Sequence, residues 1–351
     1  MAPRPRGVLP YSKLLLLLFQ TLPPLGASLS ASLSRRSALA NAAASSLLAP
    51  AVAAASAAPR ETIPPPVALR DGALMPASGY GTCCRKSASG PALVASAKAY
   101  LGEGGRLLDT AQLYGNHDAL ATAVRESGVP RAQVWITDKL NTAGGEGRVS
   151  TRAGALASVR ASARELGTDY VDLMLIHGVW GIDAAEQVDV WRGLLDARAR
   201  GLARTVGVSN FGVAELARLE DATGVLPLVN QIEFHPWVPD ATRDLARWCQ
   251  ARGVAITAYS SLRGARKRAR ADAVQRVAAA HADAGVTDAQ VLLRWALRQG
   301  VAVIPGATSP EHIRENLYLP DFDLTESDLA VLRGSEAPPA LAQGGASGEV
   351  A

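Results

Sequence analysis

Eight short apolar or β-branched runs recur along this chain, with helical stretches between them. The runs are Ser78–Thr82, Leu107–Ala111, Val134–Leu140, Val171–His177, Thr205–Asn210, Leu228–Phe234, Ala255–Ser261 and Val301–Ala307. Between them, Thr151–Leu166, Val188–Arg200, Thr242–Arg252 and Asp288–Gln299 place apolar residues at i, i+3 and i+4, the spacing of a half-buried helix. Strand–helix alternation repeated this often predicts an α/β fold, a single (β/α)8 TIM barrel. A doubly wound open sheet shares the periodicity. However, no Gly-x-Gly-x-x-Gly follows any run, and Gly79-Tyr80-Gly81 lacks the third glycine of a Rossmann turn.

The 351 residues could hold one large domain or two, and α/β barrels routinely take 200–250 residues as one unit. A hydrophobic content of 48% is ample for one core. The formal net charge of +4 would suit nucleic acid, but residues 1–60 carry six Arg or Lys and no acid, and in the rest acids slightly outnumber bases. The positive balance belongs to the N-terminal segment, so no nucleic-acid partner is expected.

That segment reads as a targeting leader. Arg4, Arg6 and Lys13 precede the apolar run Leu14–Phe19, followed by a Ser/Ala/Leu stretch with Arg35-Arg36 and a second weak apolar run ending at Ala55-Ser56-Ala57. A signal followed by an acid-poor, Ser- and Arg-bearing transit stretch suits import into a plastid bounded by extra membranes, with secretion as the alternative. Neither run is long enough for a confident bilayer span, so no membrane anchor is expected. The predicted organisation is a leader over 1–60, the barrel over 61–337 and a Gly/Ala-rich disordered tail over 338–351.

Three of the predicted strands end in ionisable residues. Asp109 closes Leu107-Leu108, Lys139 closes Val134–Thr137, and His177 closes Val171–Ile176, while Tyr114 follows the first of these strands. In a parallel barrel all C-terminal strand ends open onto one face, where active sites are built. Asp109, Tyr114, Lys139 and His177 converging there would make a proton-transfer site without metal or nucleophilic serine. Read alone, Asp109 and Lys139 fit a structural ion pair better than a catalytic one; Tyr114 and His177 in register turn the reading toward catalysis. The cysteines Cys83, Cys84 and Cys249 are odd in number, and no His or Cys pair has zinc spacing, so reduced thiols and no metal are expected. His235 reads as a structural hydrogen-bonder, and His117, His281 and His312 read as surface residues.

The same segments carry a resemblance. Asp109–Asn116, the Lys139 strand, Asp169–Asp172 leading to His177, Gly207–Phe211, Val229–Pro236, Ala258-Tyr259-Ser260 and Leu292–Ala296 resemble, in order, the motifs of the aldo-keto reductase family. The likeness runs from about Val67 to about Leu332 and implies hydride transfer from a nicotinamide cofactor to an aldehyde or ketone. It implies Tyr114 as general acid, with Lys139 lowering its pKa, Asp109 holding Lys139, and His177 binding the substrate oxygen or assisting the proton relay. It places Ser209, Asn210 and Gln231 on the carboxamide and Tyr259 on the nicotinamide ring. Gly81, Thr82, Ser260, Leu262, Gly306 and Ala307 complete the expected cofactor site, with Glu315 and Asn316 at the adenine.

The chain departs from the family at the phosphate end. Gly306 and Ala307 stand where Lys and Ser are common, and His312 stands at the position of an Arg. The basic run Arg263–Arg270 is the candidate replacement, so NADPH is expected and NAD is left open. Cys83, Asn141 and Gly178 stand where family members often place aromatics. With Cys83, Asn141 and Trp180 as its expected wall, the substrate pocket should be open and should favour small or polar carbonyls. A monomer is expected. The rival to an enzyme is a nicotinamide-sensing regulatory subunit of a membrane or multiprotein complex.

Overall fold

All eight predicted strands form, and they lie in one parallel sheet in chain order. They are β1 (Tyr80–Gly81), β2 (Leu107–Asp109), β3 (Trp135–Leu140), β4 (Val171–Ile176), β5 (Ala203–Ser209), β6 (Val229–Glu233), β7 (Ala255–Tyr259) and β8 (Ala302–Val303). The computed structural model describes residues 61–83, 87–143, 147–262 and 268–334. The chain divides into two units, Met1–Ala55 and Ser56–Ala351, and every described residue belongs to the second. The expected leader and tail, and residues 263–267 of the basic run, lie outside the described residues.

The first and last strands close the sheet on itself. Ser78 bridges Val303 in parallel, Gly79 N–H donates to the Val303 carbonyl at 2.8 Å, and Gly81 N–H donates to the Pro305 carbonyl at 3.1 Å. The seam is tight: a Cβ on Gly81 would lie 2.5 Å from the Ile304 carbonyl oxygen, so glycine is required by the close approach of two backbones. Pro305 has no N–H to continue the ladder, which is why the last strand is shorter than its apolar run suggests.

Alternation along each strand sorts side chains into two cores. Leu107, Leu173, Leu175, Val229 and Ile304 cluster inside the barrel. Met75, from the antiparallel pair Val67–Ala68 and Leu74–Met75, and Leu69, just past its first strand, join that cluster and cap the end where the strands begin. The opposite strand faces pack under the helices, with Ile136, Met174, Val206 and Ile256 meeting Leu120, Val159 and Trp191.

The helices are α1 (Gly90–Gly102), α2 (His117–Ser127), α3 (Arg152–Glu165), α4 (Ala184–Ala199), α5 (Val213–Thr223), α6 (Asp240–Ala251), α7 (Arg268–Ala280), α8 (Asp288–Leu297), α9 (Pro310–Leu317) and α10 (Glu326–Gly334). Thr151 caps α3 by accepting the Gly154 N–H. Helix α4 begins earlier than its apolar pattern predicts, because Asp183 and Glu186 form a reciprocal capping box that adds a first turn, Ala184–Gln187, with no large apolar residue. No helix among the described residues is long and apolar enough to cross a membrane.

Candidate active site

The site is assembled where β2, β3 and β4 end. Registers Asp109↔Thr137 and Lys139↔Leu175 set the strand ends side by side. Lys139 is 1% exposed and Asp109 2% exposed. Lys139 Nζ donates to Asp109 Oδ1 at 2.6 Å and to the Thr110 carbonyl at 2.7 Å. A second donor, Gln231 Nε2, reaches Asp109 Oδ2 at 2.7 Å, so both carboxylate oxygens are bound. Burial works against the ammonium, but attraction to Asp109 and Tyr114 outweighs it and holds Lys139 above its ordinary pKa.

Tyr114 follows β2 on the short 3-10 turn Gln112–Tyr114. Lys139 Nζ lies 5.1 Å from its ring centroid, and His177 meets it edge-on at 5.7 Å. Burial raises the phenol above its ordinary pKa and the Lys139 ammonium pulls against that rise. The net shift is upward, which corrects the expected net lowering: desolvation of the phenolate outweighs the cation in this site. His177 Nδ1 is buried without a partner, and burial followed by the Lys139 charge pushes the imidazole down to about 4. It is therefore neutral at neutral pH. The four predicted residues are brought together.

A loop-fixing residue supports Tyr114. Asn116 is fully buried; its Nδ2 donates to Thr82 Oγ1 and to the Ala88 carbonyl, and its Oδ1 accepts from Thr110 Oγ1 at 2.6 Å. Thr82 Oγ1 in turn donates to the Asp109 carbonyl at 2.9 Å. Asn116 closes the Asp109–Asn116 motif, and its position one residue after Gly115, at the head of α2, is the mark this role leaves in the sequence.

The residues expected at the nicotinamide also share one network. Ser209 Oγ donates to the Gln231 carbonyl at 2.8 Å, and Asn210 Nδ2 donates to Ser209 Oγ and to the His177 carbonyl. Tyr259 Oη donates to Asn210 Oδ1 at 2.8 Å. Asn210 and Ser260, each just past a strand end, have φ of 59° and 56°, in the left-handed region that few non-glycine residues occupy.

The phosphate-end residues sit past β8. Ser309 caps α9 by accepting the His312 N–H, with Pro310 at the first helical position, where a missing N–H costs nothing. The Ala307 carbonyl accepts the Tyr80 hydroxyl at 2.7 Å. Gly306, Ser260 and Leu262 are half-buried, and His312 is exposed. Glu315 is half-buried and Asn316 is buried, with Asn316 Oδ1 left without a partner.

The expected pocket wall is uneven. Trp180 is 47% exposed and stands edge-on to His177 at 5.9 Å. Its ring covers Gly178, where an added Cβ would lie 2.3 Å from it. Asn141 is buried and turned into its own loop, accepting the Ala143 N–H. Cys83 is half-buried and disulfide-bonded, which corrects the expectation of reduced thiols throughout; Cys249 is free and buried.

One histidine is also corrected. His117, read as a surface residue, is 6% exposed, with Nε2 3.1 Å from Asp138 Oδ1 and Nδ1 2.7 Å from Glu165 Oε2. It opens α2 on the side that faces the strands, a placement no local spacing reveals. His281 is half-buried against Asp328 at 3.0 Å, and His235 Nδ1 accepts the Trp237 N–H. Among the described residues, no group of three or more His, Cys, Asp or Glu side chains gathers as a metal ion would need.

Residues 86–336 match the Aldo/keto reductase family. The chain is 40% identical over 270 residues to an aldo-keto reductase of Mycobacterium sp. (strain MCS), covering 77% of this chain and 90% of that one. It is 37% identical over 273 residues to 2,5-diketo-D-gluconic acid reductase B of Corynebacterium sp. (strain SHS752001), covering 78% and 93%. Among solved structures, an aldo-keto reductase of Bombyx mori in complex with NADP superposes with a TM-score of 0.69 at 28% identity, over 78% of this chain and 93% of that one.

Proposed function

The chain belongs to the aldo/keto reductase family, and from that premise we propose that it reduces small, polar aldehydes or ketones to alcohols with NADPH, Tyr114 giving the proton. The observation that carries this reading is the buried Lys139, ion-paired with Asp109 and set 5.1 Å from the Tyr114 ring beside a neutral His177.

When bound, the nicotinamide supplies the hydride that reaches the carbonyl carbon. The carbonyl oxygen then gains negative charge and needs a proton, which Tyr114 donates from its hydroxyl. The phenolate left behind is stabilised by Lys139, whose own position is fixed by Asp109 and the Thr110 carbonyl. In the reverse direction the same phenolate takes the proton back from an alcohol. His177, neutral, can donate one N–H to the substrate oxygen without adding a charge that would repel Lys139.

The residues present suit the cofactor. Ser209, Asn210 and Gln231 would hold the carboxamide, and Tyr259, whose hydroxyl is tied to Asn210, would present its ring to the nicotinamide. Gly81, Thr82, Ser260, Leu262, Gly306 and Ala307 would line the remainder. The unpartnered Asn316 Oδ1 is a buried acceptor suited to the adenine amine, with Glu315 beside it. Similarity to a diketogluconate reductase and the small Gly178 under Trp180 support a polar carbonyl substrate. The monomeric state and plastid delivery by the leader stand as parts of the same proposal.

The test is Tyr114→Phe in protein lacking residues 1–60. Carbonyl reduction should fall by about 10²-fold or more while NADPH still quenches protein fluorescence with wild-type affinity. Near-wild-type turnover would remove Tyr114 from the mechanism.

A further inference from the structure

Lys139 and Asp138 are neighbours on β3, so their side chains leave the strand on opposite faces. Lys139 enters the barrel mouth. Asp138, fully buried, faces the helix layer, where the start of α2 brings His117 and the end of α3 brings Glu165. Both ring nitrogens of His117 thus face carboxylate oxygens, which only accept hydrogen bonds. A neutral imidazole has a single N–H, so the ring satisfies both partners only as the doubly protonated cation. The hydrogen bonds and charges of Asp138 and Glu165 outweigh burial and raise its pKa to about 9. Glu165 is largely exposed and screened; Asp138 is the partner that matters.

Asp138 is a second buried carboxylate behind the site, and its charge reaches Asp109, Tyr114, Lys139 and His177. Unbalanced, it would make the Tyr114 phenol harder to ionise and draw on the Lys139 field. One of its oxygens, Oδ2, has no hydrogen-bond partner, so His117 is its principal compensation. We infer that His117 is a positioning residue of the active site: as an imidazolium it neutralises Asp138 from the helix side and leaves the Lys139 charge to Asp109 and Tyr114. The inference rests on the proposed role of Tyr114 for its kinetic consequence, and on geometry alone for the ion pair.

Two measurements separate these parts. Nitrogen NMR of the His117 ring should show both nitrogens protonated at pH 7, and Asp138→Asn should lower its titration midpoint by at least a unit. A neutral ring at pH 7, or a midpoint unmoved by Asp138→Asn, overturns the ion pair. Kinetically, His117→Gln should reduce kcat for carbonyl reduction about tenfold with KM for the carbonyl little changed. The double variant His117→Gln, Asp138→Asn should recover kcat to within roughly twofold of wild type, because it removes the orphaned charge. A double variant no faster than His117→Gln overturns the electrostatic role, since a packing defect would persist in both. If His117→Gln does not fold, the NMR comparison decides. Should Tyr114→Phe retain turnover while the NMR result holds, the proton-donor reading fails and the ion pair stands.

Discussion

Nζ of Lys139 stands 5.1 Å from the centroid of the Tyr114 ring while bonding Asp109 at 2.6 Å. One buried cation therefore serves two oxygens, a carboxylate that anchors it and a phenol whose ionisation it assists.

Replacing that cation separates the two services. In Lys139→Met the Tyr114 phenol, already raised by burial, loses the charge that pulls it down, so its pKa rises further. Alcohol oxidation, which needs the phenolate, should shift its rising limb to higher pH by one unit or more, and carbonyl reduction should fall about 10²-fold or more. Asp109 also becomes a buried unpaired charge, with an expected loss of about 3–5 kcal/mol in denaturant melts. An unchanged pH profile with retained turnover would count against the pairing.

Cofactor choice turns on charge that Gly306 and the exposed His312 do not supply. If the basic run compensates, kcat/KM should favour NADPH over NADH by about tenfold or more. Changing Arg266, Lys267 and Arg268 together to Ala should erase most of that preference. A wild-type preference for NADH, or an NADPH preference untouched by the triple change, sinks the compensation.

Asn210 holds a left-handed backbone and three hydrogen bonds that tie His177, Ser209 and Tyr259 together. Asn210→Ala removes those bonds and places a residue less tolerant of φ near 59°. Steady-state kinetics should show KM for NADPH rising about tenfold, and melts a loss of about 1–3 kcal/mol. A normal KM would place the cofactor elsewhere.

The His117–Asp138 pair has a signature in stability. The folded pKa of His117, about 9, exceeds the ordinary value of about 6.5. A raised histidine contributes stability fully below about pH 6.5, and that contribution is lost as pH climbs through about 9. At about 1.4 kcal/mol per unit its ceiling is about 3.5 kcal/mol. Urea melts of wild type should therefore lose ground against Asp138→Asn between pH 6.5 and 9.5; parallel stability curves would argue that the ring is not charged.

Most of the barrel was legible because parallel strands buried on both faces read as apolar runs, and Asp109, Lys139 and His177 were legible because each closes one. What the sequence hid lies across the strand–helix boundary. His117 and Asp138 sit 21 residues apart on elements whose relative rotation no local pattern encodes, so the histidine read as a surface residue. The start of α4 was hidden differently, since its first turn carries no large apolar residue and only the Asp183–Glu186 spacing marks it. The direction of the Tyr114 shift was hidden because it depends on how deeply the ring is buried.

The glycine seam has a consequence for how the molecule is made. Ser78, at the seam, also donates to the Asn316 carbonyl 238 residues downstream, so the cylinder cannot shut until nearly the whole chain has left the ribosome. Asp109, Tyr114, Lys139 and His177 come from three successive strands and can take up their registers much earlier. Loop-closure entropy puts the long-range joint last. Until that joint forms, the growing sheet carries two bare edges, one along β1 and one along the strand most recently added.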